Sequence, residues 1–152
     1  VDKKEAIFWS IALPGFGQLL NGRYIKGILF IFLEFLVNVQ SHFNLAIMAS
    51  FQGEIARAFQ VIDYQWLMFY PCLYFFAMYD AFRDADIIKD RYIFLPFVFC
   101  AYFVTVGLMI SPKVTFFGLS LGPVFLPMSF VIPGLIVGFT IRRIFLATQR
   151  ET

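Results

Sequence analysis

The sequence predicts an all-α integral membrane protein: four transmembrane helices plus a broken or re-entrant N-terminal hydrophobic helix. Of its 152 residues, 61% are hydrophobic and only 14% charged, with a mean hydropathy of +0.79. A soluble domain carries roughly 25% charged residues, with about half of its residues apolar. The apolar runs recur along the whole chain and are too numerous for one cleavable signal, so residues 1–152 read as a single polytopic membrane domain. The third observation is local. Pro14, Gly15 and Gly17 break the backbone ladder of the first greasy segment, and Gln18 and Asn21 add amides to it, where hydrocarbon offers no partner.

Residues 1–5 are a charged lead expected to lie on the cytoplasmic side. Residues 6–20 form an apolar run shorter than the ~20 residues of a straight span, so residues 6–27 read as the broken or re-entrant element. A first span is expected over about residues 25–48. Phe51, Ile55, Phe59 and Ile62, interleaved with Glu54, Arg57 and Gln60, fit either an amphipathic interfacial helix or a solvated loop capped by Asp63. The second span, about 64–82, opens with Tyr64 and Trp66 and carries Pro71, which frees the Leu67 carbonyl and predicts a kink. It leaves through a charged loop from Tyr79 to Asp86, followed by Lys89, Asp90 and Arg91. The third span, about 92–110, has Pro96 near its start, where a helix tolerates proline. A connector over 111–122 carries only Lys113. The fourth span, about 123–141, contains Pro127, Pro133 and the pair Gly134/Gly138, a spacing that allows close helix approach.

Charge sets the topology. Lysine and arginine accumulate in cytoplasmic loops. If residues 6–20 do not cross, ten of the 12 lie inside and only Arg57 and Lys113 outside. If they do cross, the better orientation leaves four outside. The four-span arrangement therefore wins, with a multi-pass location in the cell membrane and both termini cytoplasmic.

The run Pro14-Gly15-x-Gly17-Gln18-x-x-Asn21-Gly22-x-x-x-Lys26-Gly27, followed by an aliphatic span, resembles the signature of small bacterial membrane proteins related to the two-helix transmembrane hairpin domain. Asp80-Ala81-Phe82-Arg83-x-Ala85 resembles the segment that closes the same unit, so the likeness frames about residues 6–86. The His-Arg pair common in the hairpin domain is replaced here by Gly17 and Gln18. Most such proteins have no assigned function, so the resemblance implies an architecture and no activity. A similar Pro-Gly-x-Gly-Gln start occurs in permease subunits of maltose-type sugar importers, but their Glu-Ala-Ala coupling loop has no counterpart here.

Two polar groups stand out. Glu34 lies inside the first span, where an ionisable group costs roughly 2.5 to 3.5 kcal/mol on insertion scales. Asn38 and His42 follow at i+4 and i+8, so a polar stripe of about 12 Å shares one helical face. With Gln18 and Asn21 it reads as an intramembrane seam that holds the bundle together, or as a water-lined proton or cation path. The second group, Asp80, Arg83 and Asp84, reads as a cytoplasmic salt-bridge cluster or a headgroup site. Gly22 and Gly27 belong to the backbone motif with Pro14, Gly15 and Gly17. They do not make a phosphate loop, because Ile28-Leu29 stands where Lys-Ser/Thr is required. Cys72 and Cys100 fall in apolar runs and read as small buried hydrophobes. One histidine and no Cys/His cluster give no basis for a metal site or for a cofactor.

The expected function is that of a non-enzymatic membrane protein, either a structural or interaction subunit or a small transporter-like component. The alternatives are a proton- or cation-conducting protein using Glu34, and a lipid- or headgroup-acting enzyme using Glu34, Asp80 and Asp84. Expected partners are the lipid bilayer and, through Gly134/Gly138, other membrane proteins or a second copy; nucleic acid is not expected.

Overall fold

The computed structural model describes residues 2–85 and 90–151. Every regular element among them is an α-helix. Helix α1 (Lys3–Ala12) ends at Leu13, which is extended (φ −156°, ψ 122°), as a residue before proline prefers. Gly15 then takes φ +107°, a conformation closed to other residues without strain, and α2 (Phe16–Leu20) follows. Gly22, at φ +75°, completes the turn into α3 (Tyr24–Ser41). The broken N-terminal element expected from Pro14 is therefore present, with Gly15 as the point of reversal.

The first predicted span stops early. His42 adopts a left-handed conformation (φ 58°, ψ 32°), so residues 43–48 leave the axis of α3 and begin α4 (Phe43–Phe51). The Asn38 side chain holds this corner, accepting from the Asn44 backbone N–H at 3.2 Å and donating to Asn44 Oδ1 at 3.1 Å. Of the two readings for residues 51–62, the helical one is realised as α5 (Ile55–Val61), which packs on α4. Asp63 does act as a cap: its carboxylate accepts from the Gln65 and Trp66 N–H groups at the start of α6 (Tyr64–Leu67).

Pro71 produces more than a kink. The predicted second span divides at Met68 and Phe69 into α6 and α7 (Tyr70–Asp84), with the proline in the first turn of α7, where its missing N–H costs nothing. The charged exit expected as a loop from Tyr79 is helical through Asp84. Asp86 and Lys89 lie outside the described residues. The rest is α8 (Phe94–Ile110), α9 (Gly122–Ser129) and α10 (Val131–Arg150), the last two nearly continuous past Pro127 and Pro133.

Helix α3 packs on α7, α7 on α8, and α8 on α10, while α1 and α2 lie against α7. Among the described residues, two stretches are long and apolar enough to cross a membrane: α3, and the 29 residues Gly122–Arg150. Helix α8 is apolar but has 17 residues, and α7 has 15. The Gly134/Gly138 face, expected to meet a partner, is occupied within the chain. A Cβ on Gly138 would lie 2.5 Å from Pro96 Cα, and one on Gly134 would lie 2.9 Å from Cys100 Cα. Both glycines let α10 approach the backbone of α8. Cys100 is buried there, whereas Cys72, expected to be buried, is exposed; both are free thiols. Buried Ala46, Ala49, Ala58, Ile62 and Leu67 meet Leu108 and Val124 in a core cluster that packs α4, α5 and α6 against α8 and α9.

Candidate functional site

The opening motif and the end of α7 form one polar junction. Residues Ala77, Asp80, Ala81 and Asp84 share a face of α7 by helical spacing. Gln18 is fully buried against that face; its Nε2 donates to the Ala77 carbonyl at 2.7 Å and to Asp80 Oδ2 at 3.2 Å. One turn on, Asn21 Nδ2 donates to the Ala81 carbonyl at 2.8 Å. Lys26, from the first turn of α3, donates to Asp80 Oδ1 at 2.9 Å and Asp84 Oδ2 at 3.0 Å. Arg23 approaches Asp84 at 3.6 Å, and Arg83 approaches Asp80 at the same distance.

The glycines explain why the junction can close. A Cβ on Gly17 would lie 2.7 Å from Ala81 Cβ and 2.9 Å from the Ala6 carbonyl oxygen, so α2 fits between α1 and α7 only without a side chain there. Gly15 and Gly27 meet in the same way: a Cβ on Gly15 would lie 2.5 Å from the Gly27 carbonyl oxygen. Asp80 is only 4% exposed and its partner Lys26 comes from another helix, so this is a long-range tie. The salt-bridge cluster expected of Asp80, Arg83 and Asp84 does form, with Arg83 3.6 Å from Asp80 and 4.0 Å from Asp84, but Asp80 is buried and Lys26 joins the cluster from α3. Lys26 was available in the sequence as the motif's basic residue, but nothing local pairs it with Asp80, 54 residues away.

Glu34 belongs to a different place. It is 6% exposed and sits beside the Tyr70 side chain of α7. One of its carboxyl oxygens, Oε2, is buried with no hydrogen-bond partner among the described residues. Tyr70 stacks on Tyr74 at 5.5 Å, and the Tyr74 hydroxyl donates at 2.9 Å to the Ile11 carbonyl, one of the carbonyls left open at the end of α1. Neither tyrosine was singled out from the sequence, although an i, i+4 pair of hydroxyls in an apolar run puts both on one face.

The single polar seam expected through Gln18, Asn21, Glu34, Asn38 and His42 is therefore three separate features. Gln18 and Asn21 hold α2 to α7, Glu34 faces Tyr70, and Asn38 fastens the corner into α4. His42 is exposed at that corner. Helical periodicity placed Glu34 and Asn38 on one face correctly, but each finds its partner on a different element.

Glu34 also lines a half-open chamber of about 890 Å³, several of whose wall residues, such as Phe35 and Ile132, are exposed. Its lining comes from the end of α1 and from α3, α4, α6, α7, α8, α9 and α10. Such a volume is at the large end of the ~300–1,000 Å³ typical of small-molecule sites. The lining is dominated by Phe, Ile, Leu, Val and Pro, with Glu34, Asn38, Asn44, Tyr70 and Tyr74 as its polar members. Among the described residues no group of His, Cys, Asp and Glu is arranged to hold a metal ion. No family model, curated protein or solved structure matches the chain.

Proposed function

We propose that this chain is a non-enzymatic multispan membrane protein that acts as a binding or transporter-like component, holding an apolar-bodied molecule at membrane depth. In this reading α3, α6–α7, α8 and α9–α10 are the four spans. Helices α1 and α2 enter from the cytoplasmic side and turn back at Gly15. The chamber beside Glu34 carries the functional part of the proposal: a large apolar space with a single carboxyl group in its wall.

The membrane setting is favoured by the outward faces of the rods. Ile28 and Phe32 on α3, Tyr102, Val106 and Met109 on α8, and Ile136 and Phe139 on α10 are all exposed. In water such faces would form apolar patches far larger than a soluble monomer tolerates. Basic residues gather as a cytoplasmic end requires: Lys3 pairs with Asp90 at 2.9 Å, and Arg142 donates to the Arg91 carbonyl at 3.1 Å. The two halves of the hairpin-like signature meet at the Gln18–Asp80 junction, which favours treating residues 6–86 as one folded unit.

Conduction is disfavoured, because the polar stripe from Glu34 stops at Asn38, which is tied to Asn44, and His42 lies exposed at the α3–α4 corner. An enzyme would need its carboxylates together. Asp80 lies ten residues beyond Tyr70 on α7, roughly 15 Å along the helix, and is engaged by Lys26.

Two measurements on purified protein in phosphatidylcholine vesicles test the reading. Single cysteines at residue 3, at residue 23 and after residue 143 are expected to label from the cytoplasmic side; labelling of residue 3 alone from the other side would restore five spans. A spin-labelled long-chain alcohol is expected to show saturable retention that Ile132→Trp, at an exposed position in the chamber wall, reduces. Retention that never saturates, or that the tryptophan leaves unchanged, would remove the binding role.

A further inference from the structure

We infer that the chamber selects amphiphiles by headgroup, taking a long apolar body that carries a protonated amine, with the ammonium directed at Glu34. This rests on the binding role proposed above and adds the chemical class of the ligand.

The lining supplies both parts of the argument. No lysine, arginine or histidine contributes to it, so an anionic head such as a phosphate or carboxylate would find no counter-charge and would face the Glu34 carboxyl. The hydrogen-bond inventory points the same way. The Tyr74 hydroxyl hydrogen is already committed to the Ile11 carbonyl at 2.9 Å. The Asn38 and Asn44 amides are joined to each other at the α3–α4 corner. What remains unsatisfied is an acceptor, Glu34 Oε2, buried without a partner among the described residues. A buried acceptor of this kind is costly, and a head that brings N–H donors and positive charge removes the cost.

The aromatic surroundings add to the preference for a cation. Phe43 lies 4.8 Å from the Tyr70 ring, and Phe35 and Tyr74 also face the chamber. Ring faces attract an ammonium group and gain nothing from an anion. The remaining wall, from α8, α9 and α10, has only apolar side chains, such as Val104, Leu108, Val124 and Val131, and fits a hydrocarbon body.

The test compares three spin-labelled probes with the same C18 chain, octadecylamine, octadecanol and octadecanoic acid, in neutral phosphatidylcholine vesicles at neutral pH, with affinities expressed per bilayer mole fraction. For the unaltered protein the amine is expected to bind about tenfold or more tightly than the acid, the ratio expected for one charge-assisted hydrogen bond, with the alcohol between them. Glu34→Gln is expected to bring the amine to the level of the alcohol. Acid binding equal to or tighter than amine binding in the unaltered protein would overturn the inference while leaving the chamber's binding role intact. Absence of saturable binding by all three probes would remove the binding role itself. If Glu34→Gln does not fold, the ranking of the three probes on the unaltered protein still decides the matter.

Discussion

Replacing Gly17 with alanine is the smallest change that tests whether the opening motif is a packed joint. The added Cβ would lie 2.4 Å from Ser10 Oγ, 2.7 Å from Ala81 Cβ and 2.9 Å from the Ala6 carbonyl oxygen. The serine hydroxyl can rotate away, but Ala81 Cβ and the Ala6 carbonyl move only with their helices. Carbon atoms in contact sit about 3.5–4.0 Å apart, so α2 and α7 must separate by roughly 1 Å. That shift stretches the 2.7 Å Gln18–Ala77 hydrogen bond beyond useful length. Overpacking of this kind costs about 1–3 kcal/mol, and the lost hydrogen bond adds about 1. Gly17→Ala is therefore expected to lower unfolding free energy by about 2–4 kcal/mol, measured by equilibrium unfolding in mixed micelles. Ala81→Gly removes one of the two rigid obstacles, so the double variant is expected to show a favourable coupling of at least about 1 kcal/mol. Gly118→Ala serves as the comparison: a Cβ there meets open space, so it incurs only the strain of a φ of +80°, which the helical Gly17 does not share. If Gly17→Ala costs no more than Gly118→Ala, or if Ala81→Gly gives no rescue, the joint is only a flexible loop and the reasoning fails.

The Lys26–Asp80 tie is expected to behave as a coupled pair. Lys26 is partly exposed, so screening limits Lys26→Met to a loss of about 1 kcal/mol, and adding Asp80→Asn should cost less than the sum of the single changes; strict additivity would refute the pairing. Gly138→Leu is expected to reduce folded yield sharply, because its side chain would meet the Pro96 backbone. The protein that does fold should keep its oligomeric state by size-exclusion chromatography, and a change of state with normal yield would return this face to a partner.

The all-helical class and the break at Pro14 were legible because each depends on local rules. Apolar run length and the absence of charge report on solvent, and proline and glycine restrict φ and ψ wherever they occur. The corner at His42 carried no such signal. A left-handed histidine is uncommon, and here it is held by Asn38 meeting Asn44 and by α4 packing on α5 and α9. Periodicity also put Glu34 and Asn38 on one face, and spacing marked Gly134 and Gly138 as a site of close approach. In both cases the sequence described a surface and left its partner open. Tyr70 for Glu34, α8 for the two glycines and Lys26 for Asp80 were decided only when distant segments met, because a side chain's hydrogen-bond partner depends on which backbone fills the adjacent space. The sequence by itself determined where the chain could be helical and where it had to turn; tertiary packing determined which buried polar groups were satisfied, and so which carboxyl, Glu34, was left with an open oxygen.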